Sequence, residues 1–244
     1  MIELWIIDKF SYFCRLTILC IVIKGVVCEI LSLPREIDNY YCYIKTRKMC
    51  KNLMEIDAVK KRIKFYPDWP TEGINFIDIM PLLADAEAFR AVVDAIDECV
   101  TAPNVAAPEA RGFLFASPLM MTDGGVECVI PFRKKGKLPH SGDDLVGVSI
   151  VKEYGEDNLF FRKSDLSEAR VTDGVIEVTL FDDILATGGT AVGMAERLSA
   201  LTVERDGVAY PVKVKEFVFM GEIEVLEGRA RLETIAPVKS LIKF

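Results

Sequence analysis

The chain has 244 residues, enough for one sizeable domain and an appendage, and a formal net charge of −7. Its acidic residues are spread along the sequence, which argues against a nucleic-acid groove and favours a small-molecule site with local basic groups. It has no low-complexity run, no repeat and no C-x-x-C pair, so zinc and redox motifs are unsupported.

Residues 1–53 differ from the rest of the chain. The apolar stretch 16–33 carries Lys24 and Glu29, which makes it a poor membrane-spanning helix. No clear small-residue cleavage site follows it, so it is also a poor signal peptide. We therefore expect the working domain to be 54–244. The first 53 residues would be an extension, either a mis-assigned start or a membrane- or partner-binding appendage.

From Met54 onward, periodic apolar residues predict helices, β-branched apolar runs predict strands, and Pro or Gly clusters predict loops. The first half is predicted to contain a helix over 55–64, a loop over 65–79 that ends in a short extended piece, a helix over 85–99, a strand over 104–107, a helix that ends at residue 121 and a strand over 127–132. The second half is predicted to contain a strand over 175–181, a helix over 191–201, a strand over 212–220, a helix over 222–231 and a strand over 238–244. Two surface insertions are expected, at 169–174 and 202–211.

Strands that alternate with helices predict an α/β fold. Its central sheet would be mostly parallel and flanked by helices, with ligands bound at the carboxyl ends of the strands.

The stretch 175–201 contains the strongest functional signal. A predicted strand leads into Asp182 and Asp183, and a loop of small and hydroxyl residues, 186–190, precedes the next helix. Its glycines let backbone N–H groups turn toward one point, and the helix N-terminus adds partial positive charge, so the loop suits a phosphate. The two carboxylates suit vicinal hydroxyls, such as those of a ribose. No Lys follows the glycines, so a nucleotide triphosphatase is disfavoured.

Two basic features follow other predicted strands. Arg111 lies at a helix start, where a cation is unfavourable beside the helix dipole unless an anion binds there. Four cations lie within the five residues 133–137, which in an acidic chain indicates a local anion site. His140 follows this run, and we interpret it as an exposed loop residue.

These stretches resemble the adenine phosphoribosyltransferases, a branch of the type I phosphoribosyltransferases. The motif at 182–190, D-D-I-L-A-T-G-G-T, is similar to their signature for phosphoribosyl diphosphate (PRPP). Other similar stretches are P-D-W-P-T-E-G-I-N-F-I-D-I at 67–79, E-A-R-G at 109–112, R-K-K-G-K-L-P at 133–139, S-I-V-K-E-Y-G at 149–155 and E-I-E-V-L-E-G-R at 222–229. The resemblance covers nearly all of 54–244.

The resemblance implies the type I fold with a small hood over the C-terminal ends of the strands, and a role for each matching residue. Ribose would be bound by Asp182 and Asp183, the 5′-phosphate by Ala186, Thr187, Gly188, Gly189 and Thr190, pyrophosphate by Arg111, Arg133, Lys134, Lys137 and Tyr154, and the base by Asn75, Phe76 and Ile184. The catalytic candidates are Glu153, which would manage the proton at purine N7, and Arg111. The residues 149–155 would form a flexible closing loop, and a cis peptide bond is expected at Glu109–Ala110.

The activity implied by the resemblance is transfer of the 5-phosphoribosyl group from PRPP to adenine, giving AMP and pyrophosphate in purine salvage. Mg²⁺ would be held mainly through PRPP, without direct protein ligands. The resemblance also implies a cytoplasmic homodimer in which Arg133 reaches the neighbouring subunit. No nucleic-acid partner is expected from the charge distribution, and the charged residues within 16–33 argue against a membrane partner. Two alternatives stay open: a phosphoribosyltransferase for another base, such as a 6-oxopurine, and a non-catalytic PRPP-binding regulator.

Overall fold

The computed structural model describes Ile56, residues 59–151 and residues 156–244. The predicted extension, 1–53, lies outside the described residues, and so do Met54, Glu153 and Tyr154. Within the described part of the chain, no helix is both long and apolar enough to cross a membrane.

The described residues form strands β1 Lys64–Tyr66, β2 Phe76–Asp78, β3 Asn104–Pro108, β4 Cys128–Lys134, β5 Leu145–Val151, β6 Glu156–Arg162, β7 Ile176–Leu185, β8 Thr202–Arg205, β9 Val208–Glu222 and β10 Val238–Lys243. The α-helices are α1 Ala86–Asp97, α2 Arg111–Ala116, α3 Gly189–Ser199 and α4 Gly228–Leu232. Short 3-10 segments are Met80–Ala84, Ser117–Met121, Lys163–Leu166 and Glu224–Leu226. Helical residues at 56, 59 and 60 precede β1.

Eight strands form the central sheet in the order β10-β9-β7-β3-β4-β6-β5, and β8 pairs with β9. The pairs from β10 through β9, β7 and β3 to β4 are parallel, whereas β6 is antiparallel to β4 and β5, and β8 is antiparallel to β9. The predicted α/β class with a mostly parallel sheet is confirmed.

Hydrophobic clusters cover both faces of the sheet because strand side chains alternate. In β7, Leu180 belongs to one cluster and Phe181 to the other. Helix α3 packs Met194 and Leu198 into the first cluster, and α1 packs Val92 into the second. Both faces of β7 are therefore buried, which explains why Val178, Leu180 and Phe181 are all apolar.

Strands β1 and β2 form a separate antiparallel ribbon, in which Tyr66 pairs with Phe76. The Asp68 carboxylate closes the intervening loop by accepting a hydrogen bond from the Gly73 N–H at 2.8 Å. The Phe65 ring meets Phe244, just after β10, edge-on with 5.7 Å between ring centroids. This ribbon includes residues near both ends of the stretch 65–79, which the family resemblance implies to be part of the hood.

Several element boundaries differ from the sequence predictions because non-local pairing extends the strands. Strand β7 continues to Leu185, four residues beyond its predicted end, since its neighbour β9 pairs with it as far as Glu222. Strand β4 continues through Arg133 and Lys134, which were predicted to be in a loop, because β6 pairs with both.

The hairpin of β5 and β6 was not predicted. The closing loop predicted over 149–155 begins too early, because residues 149–151 belong to β5 and pair with β6.

Two predicted helices are also wrong at their ends. The helix over 55–64 is too long, because Lys61 and Arg62 form a turn and Lys64 begins β1. The helix over 222–231 is wrong in its first half. Glu222 ends β9, and Glu227 has a left-handed φ of 52° immediately before α4. The insertion at 202–211 is the β8–β9 hairpin, as expected.

Candidate active site

The candidate site lies where β3 and β7 run side by side in the sheet. From β3 the chain proceeds to β4 on one side, and from β7 it proceeds to β9 on the other, so these two strands flank the switch point of the sheet. The register pairs Ala106 with Leu180, and the same offset places Pro108, the last residue of β3, at the level of Asp182. In parallel α/β sheets, ligands bind outside the carboxyl ends of the strands at this point.

Asp182 and Asp183 occupy the end of β7. Asp183 is 4% exposed, and its Oδ2 is a buried atom with no hydrogen-bond partner among the described residues. Asp182 is half-buried, and its Oδ1 accepts a hydrogen bond from the Asp183 N–H at 2.8 Å. Burial and the neighbouring Asp183 carboxylate raise the pKa of Asp182 well above its ordinary value. Unpaired acceptors at a strand end suit a ligand that brings hydroxyl donors.

Arg111 is the first residue of α2, immediately after β3. Its Nε lies 2.8 Å from Asp183 Oδ2, an ion pair that lacks hydrogen-bond geometry. Its guanidinium also lies over the Phe76 ring, 5.6 Å from the centroid. The structure therefore brings together one predicted pyrophosphate ligand, one ribose ligand and one base ligand.

The predicted base-binding residues lie on the ribbon and on β7. Phe76 is half-buried in β2, and the Trp69 ring supports it edge-on at 4.5 Å between centroids. Asn75 is exposed next to it. Ile184 is half-buried in β7 and packs with the cluster that contains the buried face of α1. An aromatic face and an aliphatic side chain are suitable walls for a flat purine.

The predicted 5′-phosphate loop connects β7 to α3. Gly188 has φ +77°, which favours glycine, and its carbonyl accepts the Val192 N–H at 2.9 Å, so it is the N-cap of α3. Thr187 is exposed, whereas Thr190 is half-buried within the first turn of the helix. The first backbone N–H groups of a helix have no partner within the helix, which suits this turn to an anion such as a phosphate.

The predicted pyrophosphate cations on the segment 133–137 divide into two kinds. Lys134 and Lys137 are exposed, whereas Arg133 donates through Nε to Glu109 Oε2 at 2.7 Å and so is held within its own chain. Although burial alone would raise the pKa of Glu109, hydrogen bonds from Arg133 and from the Lys134 backbone outweigh it and lower that pKa. The peptide bond Glu109–Ala110 is cis, as expected.

Three residues near the site had no role assigned from sequence. Trp69 supports Phe76, Glu109 holds Arg133, and Gly228 packs against the phosphate loop. Each lies inside a stretch that resembles the family. That resemblance was the available signal, but the contacts of Glu109 and Gly228 join segments far apart in the chain.

No protein-family model matches the chain. The chain is 36% identical over 194 residues to the adenine phosphoribosyltransferase of Thermoanaerobacter sp. (strain X514), and the match covers 78% of this chain and 100% of that relative. It is 35% identical over 196 residues to the adenine phosphoribosyltransferase of Rattus norvegicus, a match that covers 78% of this chain and 97% of that relative.

Solved structures agree with this similarity. The adenine phosphoribosyltransferase of Thermoanaerobacter pseudethanolicus superposes with a TM-score of 0.64 at 35% identity, covering 77% of this chain and 99% of that one. The Saccharomyces cerevisiae enzyme, complexed with an imino-altritol bisphosphate and adenine, superposes with a TM-score of 0.62 at 31% identity, covering 78% and 99%. The chain therefore belongs to the adenine phosphoribosyltransferase family.

Proposed function

We propose that this protein transfers the 5-phosphoribosyl group of PRPP to adenine, forming AMP and pyrophosphate in purine salvage. One observation carries the proposal: the Arg111 guanidinium lies between Asp183, at 2.8 Å, and the Phe76 ring, at 5.6 Å. Ribose, leaving pyrophosphate and incoming purine meet at a single carbon, so their ligands must converge in this way. Membership of the family supports the same activity.

Substrate binding would rearrange this cluster. Arg111 would move from Asp183 to the pyrophosphate, which offers more negative charge. The move frees Asp183 Oδ2 to accept a ribose hydroxyl, and it uncovers the face of Phe76 for the purine. Asp182 would accept the second hydroxyl, while the loop 186–190 would hold the 5′-phosphate.

In the reaction, the bond from the anomeric carbon to the pyrophosphate oxygen breaks and a bond to adenine N9 forms. The anomeric carbon develops positive charge, and the leaving group develops negative charge near Arg111, Lys134 and Lys137. The proton that adenine loses at N7 passes to Glu153, and Tyr154 covers the pyrophosphate. Both of these assignments rest on the resemblance of 149–155. No covalent nucleophile is needed, because positioning and charge stabilisation supply the catalysis.

We also propose that the reaction uses Mg²⁺. Among the described residues, no group of three or more His, Cys, Asp or Glu side chains could hold a metal. The carboxylates of Asp182 and Asp183 nevertheless fit a hydrated cation that is bound mainly by PRPP oxygens. When bound, Mg²⁺ would neutralise charge on the leaving pyrophosphate.

We further propose a cytoplasmic homodimer. Large apolar side chains are exposed on two 3-10 segments that both pack beside α1: Met80, Leu83, Met120 and Met121, the last at 91%. Such side chains favour burial against a second copy of the chain. In that dimer, Arg133 would exchange its Glu109 contact for the neighbouring site. Sedimentation equilibrium tests the dimer, and a monomer at micromolar concentration would contradict it.

The decisive experiment offers PRPP and Mg²⁺ with a panel of adenine, hypoxanthine, guanine and pyrimidine bases. It uses the full chain and a shortened chain that starts at Met54. AMP formed from adenine alone supports the proposal, and equal turnover by both chains would show residues 1–53 to be dispensable. Turnover of hypoxanthine or guanine instead would point to a 6-oxopurine enzyme. Binding of PRPP without any product would point to a regulator. Chelation of Mg²⁺ should abolish turnover.

A further inference from the structure

We infer that Arg229 is a positioning residue for the 5′-phosphate loop: it fixes α4 so that the Gly228 backbone forms the outer wall of 186–188. This inference rests on the proposed function. Arg229 lies at the second position of α4 and touches none of the predicted substrate ligands. Arg229 therefore acts on the site through α4, the helix whose position it fixes.

All three guanidinium nitrogens of Arg229 donate hydrogen bonds. It donates to both carboxylate oxygens of Glu222, through Nε at 2.9 Å and 3.2 Å and through a second nitrogen at 2.5 Å. It also donates to the Val238 carbonyl at 2.8 Å and the Ser240 hydroxyl at 3.1 Å, and pairs with Glu233 at 3.2 Å. Ser240 in turn donates to Glu222 at 2.7 Å. The planar fork thereby joins α4 to the ends of β9 and β10.

The segment fixed in this way packs directly on the phosphate loop. A Cβ added to Gly228 would lie 2.1 Å from the Ala186 carbonyl oxygen and 3.0 Å from the Gly188 nitrogen. A Cβ added to Gly188 would lie 3.1 Å from the Gly228 carbonyl oxygen. The two backbones are therefore in contact with no room for a side chain. The Arg231 guanidinium adds a longer contact, 3.5 Å from the Thr187 carbonyl.

Helix α4 cannot hold this wall by itself. It has five residues, and isolated helices shorter than about 12 residues are marginal in water. Its N-cap, Glu227, makes no side-chain capping bond and has a left-handed backbone. The buried Leu232 anchors the C-terminal end of α4, and the Arg229 fork fixes the N-terminal end, where Gly228 lies. Without the fork, the backbone N–H groups of the loop lose the support that aims them at one phosphate.

The test compares Arg229→Lys and Ser240→Ala with a matched control, Lys243→Ala, in the full chain. Lysine keeps the charge but loses the fork, and Ser240→Ala removes one hydroxyl from the same network. Lys243 pairs with Glu224 at 2.7 Å on the same segment, but both side chains are more than half exposed. For each variant, the measurements are KM for PRPP, KM for adenine, affinity for ribose 5-phosphate by calorimetry, and the unfolding temperature.

For Arg229→Lys we expect KM for PRPP and Kd for ribose 5-phosphate to rise about tenfold to hundredfold, since small misplacements of binding groups have effects of this size. KM for adenine should change less than about twofold, because α4 packs on the phosphate loop and the predicted base ligands are not misplaced. Ser240→Ala should shift the same two constants in the same direction by a smaller factor. Lys243→Ala should leave them unchanged.

Three results would overturn the inference. They are an unchanged ribose 5-phosphate affinity in folded Arg229→Lys, equal increases in KM for both substrates, and a loss no larger than that of Lys243→Ala. Because ribose 5-phosphate binding needs no turnover, this result is separate from the proposed function. A wild-type chain that binds ribose 5-phosphate but forms no AMP would refute the proposed function alone.

Discussion

Asp182→Asn and Asp183→Asn make the same chemical change on adjacent residues, and we expect them to affect the stability of the ligand-free protein in opposite directions. Asp183 forms an ion pair with Arg111 at 2.8 Å, whereas burial raises the pKa of Asp182. Either substitution removes the repulsion between the two carboxylates. The contribution of this repulsion to the free energy of unfolding therefore cancels when the two variants are compared. The difference between them comes from the ion pair and from the burial of charge.

The size of the difference follows from the geometry. Two unit charges 2.8 Å apart attract by about 6 kcal/mol at an effective dielectric constant of about 20. Desolvation of the buried Asp183 carboxylate and solvent screening at the 35%-exposed Arg111 side chain offset most of this, leaving about 1 kcal/mol. For Asp182, replacing a poorly solvated charge with a neutral amide should stabilise the fold by about 1 kcal/mol. The two variants should therefore differ by about 2 kcal/mol.

The pH dependence provides a control. A carboxyl group whose folded pKa is raised contributes stability below its ordinary pKa of 3.8 and loses that contribution as pH rises through the folded pKa. The gain from Asp182→Asn should therefore be largest near neutral pH and should shrink on acidification.

Urea unfolding of wild type and both variants without PRPP, at a neutral and at a mildly acidic pH, measures these differences. A less stable Asp182→Asn at neutral pH, or a gain that grows with acid, would refute the reasoning. Both variants should also lower kcat/KM for PRPP by about tenfold or more, because each removes a charged acceptor for a ribose hydroxyl.

Three further predictions follow from single contacts. Phe76→Ala should raise KM for adenine about tenfold, the equivalent of a lost base stack, while KM for PRPP changes little in the same steady-state assay. Gly188→Ala should destabilise the fold by about 2 kcal/mol and weaken ribose 5-phosphate binding, because its φ is +77° and a Cβ would crowd Gly228. Gly207→Ala has the same φ but open space around it, so in urea unfolding it isolates the backbone contribution, and an equal loss in both variants would contradict the crowding. The Arg229 hydrogen bonds lower the pKa of Glu222, so this carboxylate stabilises the fold above its ordinary value of 4.5 and less as pH falls through the folded pKa. Unfolding between pH 6 and 3 should therefore show a shallower acid decline in Glu222→Gln, and a steeper one would contradict this sign.

Much of the fold could be predicted from local sequence. The helix α1 was located within two residues because its apolar residues recur with the helical period, and Asp85 caps it. The strands β3 and β10 were also located within one residue. The strand, carboxylate pair and glycine loop that lead into α3 form one contiguous stretch, so their chemistry and their order could be read together.

The remaining features depend on contacts between distant segments. The ends of β4 and β7 are set by neighbouring strands, and α4 begins only at Gly228, where the backbone packs on the loop 186–188. None of these partners lies within one turn or one hairpin of the residue that it affects.

The sequence alone determined the chemical groups of this protein: two carboxylates, a phosphate-sized loop, a helix-start arginine and an aromatic hood. Residue identity and short-range periodicity are sufficient for that. Only the tertiary structure decided that Arg111, Asp183 and Phe76 meet. It also decided that Arg229 joins α4 to β9 and β10, while Gly228 packs on the loop 186–188. The sheet order that places β3 next to β7 brings these groups together, and strand order arises from burial of both sheet faces, which no local stretch encodes.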